Sequence, residues 1–247
     1  MVEENKEKRS FMLDMTTEAQ SLIYQGKKDE AIHCYDKILA KYPGEISALY
    51  GKGMVYYQFD ELEEALKQFD TVLRIDSEEI DSLYAKGAIL RSLGKNEEAL
   101  PILNKTVALD PKMHIAWLAK GYIYLDEKKF EKALGCFERI EKLGYKEMAF
   151  VGKGHALRGM KKIENAEANY KLAIGVDPYD AEALFGLGII ELKNQNPKKA
   201  LEFLYKSVVQ DEEIIEAWEA LVEVYRLLKQ PDKEKIAQDK IKELKQK

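Results

Sequence analysis

The segment Gly51-Lys52-Gly53 places a lysine between two glycines, a combination that can bind phosphate. A phosphate-binding loop needs backbone N–H groups around the anion, a lysine that reaches it, and a serine or threonine hydroxyl for the metal ion. Here Gly53 and Met54 follow the lysine, so the hydroxyl is missing, and the glycine that opens such a loop is absent as well. The segment is therefore a weak candidate for a phosphate-binding site.

The histidines and cysteines are the other residues that could support catalysis or metal binding. His33, His114 and His155 are far apart and share no metal-ligand spacing. His33 and Cys34 are adjacent in a predicted helix, so they point to different faces and cannot form a nucleophile–base pair. His155 lies near Arg158 without an identifiable partner, which favours a polar lining residue over a general base. We therefore expect no catalytic residue, no metal, no cofactor and no enzymatic activity.

The composition and charge of the chain indicate whether it can bind nucleic acid or a membrane. Charged residues make up 34% of the chain and the formal net charge is -5, with both signs interspersed, so the basic stripe that nucleic-acid binding requires is missing. No apolar run approaches the length of a membrane span, and the first residues are charged. Cys34 and Cys136 lie far apart and are expected to be buried, reduced thiols. We expect a cytoplasmic protein that binds neither nucleic acid nor membrane.

The glycine–lysine segment belongs to an internal repeat. The motif at 50–53 returns at 84–87, 118–121 and 151–154, and a variant follows at 185–188. An alanine stands twelve residues after each closing glycine, and a large apolar residue follows four residues later. A catalytic loop would occur once, whereas this pattern recurs with a period of 33 or 34 residues. Each period predicts two amphipathic helices.

This pattern resembles the tetratricopeptide repeat family. The resemblance rests on glycine at position eight, alanine at twenty, a large apolar residue at twenty-four and, in several repeats, proline at thirty-two. The glycine and the alanine mark close approaches of two helices. The resemblance implies an all-α, right-handed superhelical solenoid of helix-turn-helix hairpins. The predicted parts are a polar tail at 1–11 and a solenoid at 12–247, with repeats at 12–45, 46–79, 80–113, 114–146, 147–180, 181–214 and, as an atypical capping repeat, 215–247.

The chain departs from the family pattern in three ways. Position seven, usually leucine, holds a lysine in four repeats; we expect its stem to cover apolar surface while the ammonium reaches solvent or an acid. A lysine ladder that grips an anionic ligand is the alternative. Pro101 falls inside a second helix and is expected to kink it or remove a hydrogen bond. The fourth repeat is one residue short, and Gly144 is expected to replace its proline turn.

The resemblance also implies a binding surface, because in the family the first helices of successive repeats line a concave groove. Positions two, five, nine, twelve and thirteen point into it. This register gives the predicted groove residues Tyr50, Met54, Tyr57, Tyr84, Ala88, Arg91, Leu118, Tyr122, Leu125, Val151, His155, Arg158, Phe185, Ile189, Leu192, Glu216, Glu219, Glu223 and Arg226. The middle of this surface is apolar and aromatic, and its end is acidic, which favours a helical or extended peptide with a basic end. Tyr50 and Tyr84 could alternatively be structural.

The best-defined peptide-binding modes of the family do not fit. The clamp for acidic C-terminal peptides requires lysine at position five, whereas this chain has tyrosine, leucine or valine there. The asparagine ladder requires asparagine at position six, where this chain has glycine or alanine. Hydrophobic recognition is the mode that remains.

A non-catalytic protein-interaction scaffold is therefore the leading hypothesis, with a protein or peptide as partner. The alternative is a self-assembling module, either a dimer or an end-to-end superhelix, in which Phe11, Met12, Leu13 and Met15 insert into the groove of a neighbour. An enzyme subunit that uses His155 is a third possibility.

Overall fold

The chain is helical throughout the part that the structure describes. A computed structural model describes residues 2–246, with side chains from 5 to 246, and no strand occurs in that range. Its helices are α1 (Val2–Tyr24), α2 (Lys28–Lys41), α3 (Ile46–Gln58), α4 (Leu62–Ile75), α5 (Ile80–Ser92), α6 (Asn96–Leu109), α7 (His114–Asp126), α8 (Phe130–Lys142), α9 (Lys146–Gly159), α10 (Ile163–Val176), α11 (Ala181–Lys193), α12 (Pro197–Gln210), α13 (Ile215–Leu227) and α14 (Pro231–Leu244). The predicted all-α class is confirmed.

The helices form two compact units, residues 1–116 and 117–247, and the division falls within α7. Inside each unit, a helix packs against the helices that precede and follow it in sequence. We call the odd-numbered helices A helices and the even-numbered helices B helices. In the second unit the A helices also touch one another, α9 against α11 and α11 against α13. Each unit is therefore a stack of helix hairpins.

The N-terminal segment is part of the first hairpin. Residues 2–11, predicted as a polar tail, begin helix α1. Phe11, Met12 and Met15 pack against the core of the first unit, around Tyr35, while Leu13 is exposed. The apolar residues of this segment are thus largely used within their own unit.

Two residues after the end of each A helix stands a residue with left-handed backbone, and the N–H of the residue after it bonds back to a carbonyl of the helix. Gly94, for example, has φ +71, and the N–H of Lys95 donates to the Leu90 carbonyl at 2.8 Å. Gly144, predicted to replace a proline turn, has φ +98 between α8 and α9. Helix α6 continues through Pro101, which is exposed in its second turn. Proline has no N–H, so the predicted loss of a hydrogen bond falls at the surface.

Inside each unit, a buried side chain at position twenty-four links a hairpin to the next one. A Cβ added to Gly121 in α7 would lie 2.7 Å from the Phe137 ring of α8, and one added to Gly152 in α9 would overlap the same ring. Tyr170 of α10 likewise fills the space beside Gly154 and Gly186. The glycine at position six is therefore a packing residue. From the sequence alone, this position shows only that the asparagine of the ladder is missing.

The lysines at position seven mostly pair with an acid on the preceding B helix, as expected. Lys52 Nζ lies 2.7 Å from Asp36, and Lys153 Nζ lies 2.8 Å from Glu141. Lys86 pairs with Asp70 in the same way. Because these ammonium groups already have carboxylate partners, they are poorly placed to grip an anionic ligand.

Lys120 is the exception among these lysines. It is 7% exposed, and its Nζ lies 4.3 Å from the centroid of the Trp117 ring. Asp36 precedes Lys52 by 16 residues, but at the corresponding distance before Lys120 the sequence has Asn104. Burial lowers the pKa of Lys120 below its ordinary value. The ammonium is thus stabilised by an aromatic face in place of a carboxylate.

The packing around Phe137 can be tested with two glycines. We expect Gly152→Ala to reduce the free energy of unfolding by about 1 to 3 kcal/mol, because the new methyl group overlaps the Phe137 ring. Gly135→Ala, in the interior of α8 with no atom near the new Cβ, should increase it by about 0.5 to 1 kcal/mol. Urea unfolding followed by circular dichroism measures both. Equal effects of the two changes would contradict this account of the packing.

Replacing Lys120 by leucine should stabilise the protein. At pH 7 we expect a gain of about 1 kcal/mol, because the change removes a buried ammonium that no carboxylate compensates. The wild-type pKa is lowered in the folded state, so the unfolded state binds the proton more tightly and wild-type stability rises as pH approaches 10.5. The gain should therefore shrink between pH 7 and pH 10, as measured by urea unfolding.

Lys52→Leu is the control for this prediction. Its ammonium already pairs with Asp36 near the surface, so the change in the free energy of unfolding should stay within about 1 kcal/mol. An advantage of Lys120→Leu that grew with pH would show that the buried ammonium is not the cause.

Candidate functional site

The A helices of the second unit border a cavity of about 570 Å³. We call it the A-face cavity. Three of the predicted groove residues, Leu118, Tyr122 and Val151, line it. The other lining residues, which the sequence analysis did not name, are Glu147, Met148, Asp177, Tyr179, Asp180, Ala181, Glu182 and Gln210.

Tyr122 is held in place by the buried core below it. Its ring meets that of Phe137 edge to face, with the centroids 5.8 Å apart. Phe137 in turn is fully buried beside two glycines and cannot move far. The Tyr122 hydroxyl donates a hydrogen bond to Glu182 Oε2 at 3.0 Å. Side chains from α7 and α11 therefore meet at the cavity.

His155 joins this contact from α9. Its Nε2 lies 3.2 Å from Glu182 Oε2, and its Nδ1 lies 2.8 Å from the Tyr170 hydroxyl. A carboxylate can only accept, so Nε2 carries the proton and Nδ1 accepts from Tyr170 in the neutral ring. His155 thus has two partners that could not be identified from the sequence. The partners come from α10 and α11, 15 and 27 residues away, where sequence spacing gives no signal.

The tyrosine that faces His155 is unsuited to proton transfer with a substrate. Tyr170 is fully buried, and burial raises its pKa to about 12 although nearby Arg158 acts in the opposite direction. Arg158 also lies over the Phe185 ring, 5.7 Å from its centroid. The Tyr170 hydroxyl therefore serves to orient the imidazole, and the imidazole and Tyr122 together orient the Glu182 carboxylate.

The charge of the A-face cavity is entirely acidic. Four of its lining residues are carboxylates, and none is a lysine or an arginine. Asp180 caps the N-terminus of α11 and accepts a hydrogen bond from the Ala183 N–H at 2.7 Å. Burial raises the pKa of Asp180, while that hydrogen bond acts in the opposite direction. The walls thus combine apolar side chains with carboxylates, of which Asp180 and Glu182 are held by hydrogen bonds.

Other reactive groups of the described residues are buried or dispersed. Cys34 and Cys136 are free and buried, as expected, and burial raises the pKa of Cys136 to about 11. A thiol with such a pKa is protonated at neutral pH and unreactive. Within residues 2–246, no group of three His, Cys, Asp or Glu side chains is placed to hold a metal ion. No helix in that range is long and apolar enough to cross a membrane.

Comparison with known families agrees with the stacked hairpins. The sequence matches the family model of the tetratricopeptide repeat over residues 16–80, 84–144 and 151–213. The chain belongs to the tetratricopeptide repeat (TPR) family. TPR proteins are helical-repeat proteins that generally act as non-catalytic interaction scaffolds. Among curated protein sequences, no match was found.

Solved structures resemble the chain in fold. A TPR protein from Parabacteroides merdae superposes with a TM-score of 0.81 at 16% identity, covering 95% of this chain and 93% of that one. The type IV pilus biogenesis factor PilW gives 0.69 at 19% identity, with coverages of 80% and 92%. A chain of the APC/C hetero-tetramer Cut9–Hcn1 gives 0.72 at 18%, with coverages of 86% and 42%. At these identities the likeness shows the fold alone.

The remaining predicted groove residues of the second unit do not line the A-face cavity. Leu125, Phe185 and Ile189 are half-buried and pack against the core. The predicted acidic end is exposed at Glu216, Glu219 and Glu223, but Glu219 lies 3.0 Å from Lys245 and is partly neutralised.

The predicted groove residues of the first unit are largely packing residues. Tyr50 and Met54 pack against the core, and the Tyr50 ring lies 5.6 Å from that of Phe69. Burial raises the pKa of Tyr84, which is half-buried like Arg91. Only Tyr57 among these five is exposed. The contacts of Tyr50 therefore agree with a role in packing, the alternative to ligand binding given for this residue in the sequence analysis.

Two residues that the sequence analysis missed could have been found by the same register. Met148 and Glu182 stand at position two of their repeats, one of the positions assigned to the groove. The same position in the last repeat is Glu216, one of the predicted groove residues. Tyr179, in contrast, lies in the loop before α11, where the helical register gives no signal.

The His155 hydrogen bonds predict one tautomer. We expect NMR of the imidazole nitrogens to show that the neutral form of His155 carries its proton on Nε2. Tyr170→Phe removes the donor to Nδ1, so the signals should shift toward a mixture of tautomers, with a loss of about 1 kcal/mol in the free energy of unfolding. His33 and His114 provide internal controls. A proton on Nδ1 in the wild type would refute the proposed bonding.

Proposed function

We propose that this TPR protein is a non-catalytic scaffold that binds a peptide segment of another protein in the A-face cavity. The family supports a protein-interaction scaffold in general. The observation that carries the specific site is the combination of apolar walls with four carboxylates and no cation in one cavity. This combination favours a segment with apolar side chains and at least one lysine or arginine.

The geometry of Glu182 supports this choice of ligand. Its carboxylate is held by Tyr122 and His155 before any ligand arrives. A carboxylate that is already oriented loses little conformational freedom on binding a guanidinium or ammonium group, which favours affinity. Tyr122, Leu118 and Val151 supply the apolar surface beside it. Shape and apolar burial would then give affinity, while the carboxylates select the orientation of the peptide.

A scaffold also fits the site better than an enzyme does. Both ring nitrogens of His155 are hydrogen-bonded, and one of the partners is the buried hydroxyl of Tyr170. A general base needs a free nitrogen that reaches the substrate. The cytoplasmic location, the lack of nucleic-acid binding and the lack of membrane binding stay predictions from the sequence.

Self-assembly is the second candidate function. Its proposed route, insertion of the N-terminal segment into a neighbour, would require Phe11, Met12 and Met15 to leave the core of their own unit. This cost favours the scaffold over segment exchange. A homo-oligomer formed in another way stays a prediction.

Charge selectivity tests the scaffold function. We expect a library of about twelve-residue peptides, with apolar and charged positions varied, to yield binders rich in lysine and arginine when selected on the full-length protein. Fluorescence anisotropy should show that Glu182→Lys weakens these binders by about tenfold or more, and that added salt also weakens them. Glu138→Lys, an exposed change on α8 outside the cavity, is the matched control and should leave Kd unchanged.

Two outcomes would contradict the proposal. Enrichment of acidic peptides, or a Kd indifferent to Glu182→Lys, would exclude the A-face cavity as the site. Sedimentation equilibrium that shows a dimer dissociated by Leu118→Glu would assign the surface to self-association.

A further inference from the structure

A second cavity, of about 560 Å³, lies among α12, α13 and α14 of the second unit. We call it the B-face pocket, because its outer walls are the B helices α12 and α14. It is lined by Leu201, Glu202, Tyr205, Lys206, Trp218, Tyr225, Lys233, Ile236 and Ala237. Its volume is in the range of binding pockets, and most of its lining is aromatic or aliphatic.

The same place one repeat earlier is polar. There the cavity is smaller, about 300 Å³, and it is crossed by ion pairs. Lys171 lies 2.6 Å from Glu167, and Lys199 lies 3.9 Å from Glu191. Phe203 is one of its lining residues.

The B-face pocket arises from substitutions at equivalent positions, 34 residues further along. The charged residues Glu167, Lys171 and Glu191 correspond to Leu201, Tyr205 and Tyr225. The large Phe203 corresponds to Ala237, which leaves the space that the pocket occupies. Apolar surface thus replaces an ion-paired surface at this one repeat.

The apolar surface continues along α12 beyond the pocket. Leu201, Tyr205 and Val209 are four residues apart, so they form one stripe about 12 Å long. Tyr205 is 56% exposed, Val209 60%, and the neighbouring Ile236 65%. A further cavity of about 400 Å³ lies on the other side of Tyr205. Two depressions therefore flank Tyr205 along one helix, and exposed apolar surface of this kind marks interaction sites.

The charges at the rim of the B-face pocket are mainly positive. Lys206 borders both depressions, and its bond to Glu202 is an exposed ion pair within one helix, which contributes little. Lys233 lies near the Tyr225 ring, 5.9 Å from its centroid. Two lysines face one glutamate at this rim, the opposite of the all-acidic A-face cavity.

We propose that the B-face pocket and the α12 stripe bind an amphipathic helix of a partner protein that carries acidic residues beside its apolar face. Two apolar side chains about two turns apart on that helix span the same 12 Å or so as the stripe and enter the two depressions. The acidic residues pair with Lys206 and Lys233. The B-face pocket shares no lining residue with the A-face cavity, whereas the depression on the other side of Tyr205 shares Tyr179 and Gln210 with it. The B-face pocket and the A-face cavity have opposite charge preferences, so they can hold different partners.

The experiment uses a display library of helical peptides of about eighteen residues. Apolar residues are fixed about one and two turns apart, and the flanking positions are randomised. After selection on the full-length protein, we expect aspartate and glutamate to be enriched at the flanks. The Kd of these peptides, measured by fluorescence anisotropy, should rise about tenfold or more for Tyr205→Lys, which introduces the residue type found one repeat earlier.

Two control variants distinguish the B-face pocket from the rest of the protein surface. Leu172→Lys makes the same kind of change at a residue of α10 that is 52% exposed and lies outside the pocket, so the Kd should not change. Glu182→Lys alters the A-face cavity and should also leave the Kd unchanged. Circular dichroism and thermal unfolding verify that each variant is folded, as expected at exposed positions.

The proposal is overturned if no peptide is enriched, if basic flanks are enriched, or if the Kd is indifferent to Tyr205→Lys. It is also overturned if Glu182→Lys abolishes binding, which would place the peptide in the A-face cavity. A wild-type dimer that Tyr205→Lys converts to a monomer in sedimentation equilibrium would mean that a second copy of the chain occupies the surface.

Discussion

The whole architecture depends on one buried side chain per repeat, at position twenty-four. Inside the second unit, Phe137 and Tyr170 each fill the space between the glycine of their own hairpin's A helix and the glycine at position six of the next A helix. Tyr35, Phe137 and Tyr170 face glycine at position six, whereas Phe69 and Leu204 share their core clusters with the alanines at that position, Ala85 and Ala220. Close packing leaves little room for adjustment, so this contact sets the spacing of the helices within a hairpin and between hairpins.

The candidate site is an extension of that contact. Tyr170 fills the space beside Gly154 and Gly186, and its hydroxyl also bonds to His155. Gly186 allows α11 to approach, and Glu182 lies about one turn earlier on the same helix. The core side chain thus fixes the imidazole and places the helix that supplies the carboxylate. Changes in packing at Tyr170 should therefore alter the site even when they touch none of its surface residues.

The sequence could predict the structural features that recur in every repeat. It could not predict the features that occur in one repeat alone. Periodic glycine and alanine indicated the helices, and lysine at position seven suggested a paired ammonium, because each depends on a register that recurs. Lys120 breaks that rule, because the residue 16 positions earlier is an asparagine and not an acid. The bond between His155 and Glu182 joins residues 27 apart and depends on side-chain direction, which spacing alone does not give. Cavity shape depends on several such side chains at once.

The exposed aromatic and aliphatic residues of α12 and α14 have no comparable role in folding. At the equivalent place one repeat earlier, exposed ion pairs cover the surface, and such pairs contribute little to stability, so either solution is compatible with the fold. Tyr205 and Ile236 remain more than half exposed and add little buried area to the core. Large exposed apolar patches also promote aggregation, which favours polar residues wherever no partner covers them. Folding therefore does not account for these side chains, whereas recognition of a partner does.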